Sequence, residues 1–190
     1  VAAFVLKYRL AKDRAQGGKS PYTVDGHALA DVQRALQLVR SRAGEWQLAP
    51  GAVGVLGFSA GGELALLAGT RPVAARPESA DATERQPSRP DFVGLMYPGR
   101  TERTDIEVTK AMPPCFIAVG SADSFVDPIS ALFTKLRKAG VETEFHVYAG
   151  IGHGFGLRDI NPPSVNVWPT QFTAWLGNRG FLVAAAKAGR

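Results

Sequence analysis

Apolar positions along this chain alternate between short continuous runs and stretches in which they recur every three or four residues. FVLKY (Phe4–Tyr8) is a run of the first kind and predicts a strand. ALADVQRALQLVRSRA (Ala28–Ala43) is of the second kind. Its Leu29, Val32, Leu36 and Val39 fall on one face of an amphipathic helix. AVGVLGF (Ala52–Phe58) predicts the next strand, and GELALLAG, following closely on Ser59, an apolar helix. Residues 71–90 are rich in Pro, Ala and charge and read as a surface loop. DFVGLMY (Asp91–Tyr97), CFIAVG (Cys115–Gly120) and Thr143–Tyr148 predict three further strands. Pro128–Ala139 predicts a helix stopped by Gly140, and Ser164–Leu176 a final helix after two prolines.

Five strands separated by helices predict an α/β fold over residues 1–190 as one domain, with a mostly parallel sheet of about five strands and helices on both faces. In such sheets, sites form at the carboxyl ends of strands. Composition narrows the picture only slightly. With 45% apolar and 21% charged residues the chain is an ordinary globular one. No apolar run approaches the ~20 residues that cross a bilayer, so no membrane partner is expected. The formal charge of +5 comes from Lys and Arg scattered between Lys7 and Arg190 with acids among them. That distribution predicts a solvated basic surface and no nucleic-acid partner. The opening VAAFVLKYRLA has no basic leader before its apolar run and no cleavage site, so it does not read as a signal peptide. The compartment stays unassigned. A single cysteine, Cys115, excludes an intrachain disulfide framework and reads as a buried small residue.

Candidate chemistry centres on GVLGFSAGG (Gly54–Gly62). A bare G-x-S-x-G is weak evidence in a chain with 21 glycines. Here, however, Ser59 falls immediately after a predicted strand and opens a predicted helix, the setting of a nucleophile elbow. Gly57 and Gly61 flank it because larger side chains would collide with the neighbouring strand and helix. Helix N-terminal amides would point at the site and could hold a developing oxyanion. A serine hydroxyl needs a general base. Of three histidines, His27 lies before a helix and His146 inside a strand. His153 lies in GIGHGFG, a glycine loop just past the last strand, and is the preferred base. The base needs a carboxylate to fix its tautomer. VGSADSFVDP offers Asp123, nearer the strand end and preferred, and Asp127, which before Pro128 reads as a helix N-cap. GGKS (Gly17–Ser20) fails as a phosphate-binding loop because Asp13 stands where its first glycine belongs. There is no G-x-G-x-x-G and no Cys/His cluster with metal spacing, so no cofactor and no metal are expected.

GFSAGG, VGSAD around Asp123 and GHGFG around His153, in that order, resemble the esterase/lipase branch of the α/β hydrolases. LKYRL, the helix before the elbow strand, SRPDFVGLMYPG, and the ending with Trp168–Pro169, Trp175–Leu176 and GFL are similar to bacterial acetylxylan-esterase-like carboxylesterases. The resemblance covers nearly the whole chain. It implies Ser59 as nucleophile, His153 as base, Asp123 as orienting acid and the Ala60 amide as one oxyanion donor. It also implies hydrolysis of small short-chain esters, acetylated sugars included, with no cofactor. Members of this branch carry an H-G-G loop ahead of the LKYRL strand, followed in space by a strand beside the elbow strand. Neither precedes LKYRL here. The expectation is that Phe4–Tyr8 pairs directly with Val53–Phe58, or that a second copy covers the open edge. Two other functions stay open: a weak or inactive hydrolase scaffold acting in binding, and a serine exopeptidase with the same triad.

Overall fold

The computed structural model of the chain describes residues 1–12, 17–49 and 51–182. A single π-helical turn (Val24–Ala28) leads into α1 (Leu29–Ser41). Strand β1 (Val55–Phe58) is followed by α2 (Ala60–Thr70), β2 (Val93–Met96), β3 (Cys115–Gly120), α3 (Val126–Lys138), β4 (Thr143–Tyr148), α4 (Pro163–Asn166) and α5 (Trp168–Asn178). The strands form one parallel sheet in the order β1-β2-β3-β4, with Val55 beside Val93, Val93 beside Cys115, and Cys115 beside Thr143.

The period-2 alternation of side chains sorts the layers. Val93 lies under Gly69 of α2, and Phe145 meets Phe133 of α3 with ring centroids 5.1 Å apart. These positions share one face of the sheet. Gly94 and Phe116 point the other way, toward Phe172 and Trp175 of α5. Helices therefore cover both faces, and β2 and β3 are buried along their full length. This is why those strands read as continuous apolar runs rather than alternating ones. Cys115 lies within β3, where burial pushes its thiol up to about 12, so it is a packing residue.

The described residues hold four strands rather than five. Phe4–Tyr8 does not form a strand and does not pair with β1. It is a largely exposed segment without regular structure, with Phe4 against Trp46 and the adjoining Arg9 on Asp31. A strand needs a hydrogen-bonded neighbour, which apolar composition cannot supply by itself. The outer edge of β1 thus carries half-exposed Leu56 and Phe58. The last predicted helix is divided at Val167 into α4 and α5. Pro169 lacks the N–H that would bond one turn back and so cannot continue α4. Helix α3 begins at Val126, so Asp127 is an exposed first-turn residue and not the N-cap. In that turn its charge still complements the helix dipole. The Asp13 reading falls outside the described residues. Ser20 of GGKS is committed locally, donating to the Leu10 carbonyl at 2.6 Å. No helix among the described residues is long and apolar enough to cross a membrane.

Candidate active site

Because the sheet is parallel, the ends of β1, β3 and β4 open at one edge, and each contributes one residue. Ser59 leaves β1 with φ 52° and ψ −115°, a conformation that costs a non-glycine residue about 1–3 kcal/mol. The surroundings enforce it. The Ser59 amide donates to the Met96 carbonyl at 3.0 Å, and the Ser59 carbonyl accepts from the Glu63 amide at 3.1 Å and the Gly99 amide at 3.0 Å. A Cβ on Gly57 would lie 1.9 Å from the Gly61 carbonyl oxygen, so only glycine lets the strand pass beneath the helix here. The second tight position is Gly62, whose Cβ would sit 2.8 Å from Pro98 Cα. Gly61 was expected to be required for the same reason, but a Cβ there meets nothing within 4 Å. Ala60 is the first residue of α2, and its amide is among those a helix leaves without an internal acceptor.

The loops carrying Asp123 and His153 are laced together. A Cβ on Gly120 would fall 2.0 Å from the Ile151 carbonyl oxygen, which accepts from the Ala122 amide at 2.9 Å. The Ser121 amide donates to the Tyr148 carbonyl, and the Gly150 amide donates to Ser121 Oγ. Two loops from adjacent strands are thereby fixed at a constant separation, and their side chains meet. Asp123 Oδ2 accepts from His153 Nδ1 at 2.7 Å, and His153 Nε2 accepts from Ser59 Oγ at 2.7 Å. Asp123 is 2% exposed, and its second oxygen accepts from the Phe125 amide at 2.9 Å. A carboxylate only accepts, so the proton belongs on Nδ1 and the lone pair of Nε2 faces the serine.

The other candidates lie elsewhere. His27 sits in the π-helical turn with Nδ1 accepting from the Thr23 amide. His146 pairs with Glu144 on β4 at 2.7 Å, beside the ring of Phe116. Neither hydrogen bonds to Ser59 among the described residues.

Two features around the site were not anticipated. Tyr97 and Phe125 flank the His153 ring, with centroids 5.1 and 5.4 Å away. The second feature is an ion network beneath the elbow helix. Arg103, partly buried, reaches buried Glu63 at 2.9 Å, Asp25 at 2.6 Å and Asp105 at 2.7 Å. Arg71 also bonds Asp25 and Asp105. Hydrogen bonds from Arg103 and then Arg71 hold Asp105 well below the usual carboxylate range. At Asp25 burial pulls upward, but the same two guanidinium groups outweigh it and leave it lowered. Glu63 alone had a visible signal, a lone acid in the apolar stretch GELALLAG.

A family model of the dienelactone hydrolases matches residues 11–175. The chain belongs to the dienelactone hydrolase family. A relative in this comparison, an acetylxylan esterase of Xylanibacter ruminicola, is 26% identical in a 177-residue alignment that covers 83% of this chain and 35% of that protein. This family member therefore spans about a third of that relative. The crystal structure of an acetyl ester-xyloside bifunctional hydrolase from Caldicellulosiruptor lactoaceticus superposes with a TM-score of 0.78 at 29% identity, covering 86% of this chain and 70% of the other. Thermogutta terrifontis esterase 2, phosphorylated by paraoxon, gives 0.70 at 25% identity over 89% and 69% of the two chains. The parallel sheet with helices on both faces is thus an α/β-hydrolase fold.

Proposed function

We propose that this chain is a serine carboxylic-ester hydrolase acting on short-chain, acetyl-type esters, with Ser59 as nucleophile, His153 as general base and Asp123 as orienting acid. The observation that carries the reading is the unbroken hydrogen-bond line from Ser59 Oγ through both nitrogens of His153 to the buried carboxylate of Asp123, with 2.7 Å at each link. The names of the acetylxylan esterase and the acetyl ester-xyloside hydrolase support acetyl groups on sugars as the substrate class.

In this reading Ser59 Oγ attacks the ester carbonyl carbon while its proton passes to His153 Nε2. The imidazolium so formed is stabilised by Asp123 through Nδ1–H. The carbonyl oxygen becomes an oxyanion and takes the Ala60 amide as a donor. Collapse breaks the carbon–oxygen bond to the alcohol, which leaves with the proton from Nε2. Water then gives its proton to Nε2, attacks the acyl-enzyme and releases the acid, and Ser59 recovers its proton. The strained backbone of Ser59 holds Oγ clear of the helix, so attack needs no rearrangement.

The test is hydrolysis of p-nitrophenyl acetate by the parent and by Ser59→Ala. The variant is expected to lose on the order of 10⁴-fold or more in kcat, with an unchanged circular dichroism spectrum. Hydrolysis by Ser59→Ala at the parent rate removes the proposal.

A further inference from the structure

Tyr97 combines two properties that ordinarily exclude each other. It is a bulky residue only 5% exposed, and its backbone lies in the left-handed region at φ 39°. Aromatic residues rarely adopt that conformation, and it persists only where the surroundings impose it. Here it turns the chain sharply out of β2. The Tyr97 amide donates to the Ala118 carbonyl at 2.7 Å, and two residues on, the Gly99 amide donates to the Ser59 carbonyl. The turn brings the Tyr97 ring against the imidazole of His153, with centroids 5.1 Å apart and planes at 72°. Phe125 meets the same imidazole at 5.4 Å and 61°. Behind Tyr97 stand Phe155, at 4.6 Å, and Phe58, at 6.0 Å.

His153 needs such support. Its loop contains Gly150, Gly152, Gly154 and Gly156, and a Cβ on any of the first three would meet nothing within 4 Å. At these three positions the loop has no side chain of its own to pack beside the histidine. Hydrogen bonds at Nδ1 and Nε2 hold the imidazole at two points, so a shift of the glycine loop at Cβ can still tilt the ring about the line joining them. Ring contacts can remove that last freedom, since aromatic pairs have preferred edge-to-face geometry. We propose that Tyr97, together with Phe125, is a positioning residue that fixes the tilt of His153, so that Nε2 stays aimed at Ser59 Oγ through the catalytic cycle. The inference rests on the esterase reading above. It assigns to the strained turn after β2 a task in catalysis, through the ring and not through the phenol oxygen.

The experiment compares Tyr97→Leu, Tyr97→Phe and Phe125→Leu with the parent. Tyr97→Leu keeps apolar bulk and removes the ring. It is expected to lower kcat for p-nitrophenyl acetate on the order of 10- to 100-fold with KM little changed, and to slow phosphorylation of Ser59 by paraoxon by the same factor. Tyr97→Phe keeps the ring and is expected to recover most of the lost rate. In proton NMR, the downfield resonance of His153 Nδ1–H is expected to broaden in Tyr97→Leu and to stay sharp in Tyr97→Phe. If Tyr97→Leu does not fold, Phe125→Leu carries the same test, because its backbone bond to Asp123 is retained. The inference is overturned by parent-like kcat in the folded leucine variants, by a loss confined to KM, or by a Tyr97→Phe defect as large as that of Tyr97→Leu. Failure of the esterase reading shows differently, as parent-rate hydrolysis by Ser59→Ala.

Discussion

Asp123→Asn is expected to lower kcat for p-nitrophenyl acetate on the order of 10³- to 10⁴-fold, with KM changed by no more than about twofold. The substitution preserves size and shape, so the loops that hold Asp123 and His153 keep their spacing. The hydrogen-bond logic at the imidazole is what changes. Asp123 accepts from both the Phe125 amide and His153 Nδ1. An asparagine can keep its carbonyl oxygen on the Phe125 amide only by turning its NH₂ toward His153. Nδ1 must then accept, the proton moves to Nε2, and Nε2 no longer takes the proton of Ser59 Oγ. The imidazolium also loses its buried counter-charge. Substrate contacts are untouched, which is why the effect falls on kcat. Steady-state kinetics of the purified variant, with Tm as the control for folding, measures it.

Gly57→Ala is expected to destabilise the fold by about 3 kcal/mol or more, at the upper end of overpacking costs. The added methyl carbon would sit 1.9 Å from the Gly61 carbonyl oxygen and 2.3 Å from the Gly61 carbonyl carbon. Both are backbone atoms of the first turn of α2, so no side-chain rotation relieves the clash. The helix must move, and with it Ser59 and the Ala60 amide. Gly61→Ala, with nothing within 4 Å of its Cβ, is expected to change stability by no more than about 0.5 kcal/mol. Thermal or urea unfolding of the two variants separates them, although both break the same five-residue motif. A similar loss in both would mean that the motif is needed as a pattern, and not that one close approach is.

How far the sequence reveals this molecule depends on how local each feature is. Strands β3 and β4 match their expected bounds because each has a parallel neighbour and clear punctuation at its ends, β3 as a fully buried run and β4 as a partly buried one. The three residues of the hydrogen-bond line were readable because each follows a strand in a parallel sheet, and parallel strands end at one edge. Of the two acids offered after β3, only Asp123 bonds His153 among the described residues. Phe4–Tyr8 was not readable in this way. Its composition suits a strand, but strand formation is a property of two segments, and β1 does not pair with it. The division between α4 and α5 had a signal, Pro169 inside an otherwise helical pattern. The contacts around the site had almost none. Glu63 and Arg103 are 40 residues apart in the chain, and nothing in MYPGR announces a tyrosine with positive φ. Such features exist only once the ends of β1 and β2 lie side by side.

The most direct measurement is covalent capture of the nucleophile. Paraoxon phosphorylates an activated serine, and Thermogutta terrifontis esterase 2, a relative in fold, has been observed in that state. Incubation of the parent chain with paraoxon, followed by intact mass and peptide mapping, is expected to show one diethylphosphoryl group per chain, located on Ser59. The Ser59→Ala variant is expected to show none, and His153→Ala slow labelling at the same serine. Labelling of a different residue, or an unmodified Ser59 under conditions in which the chain hydrolyses p-nitrophenyl acetate, would contradict the account.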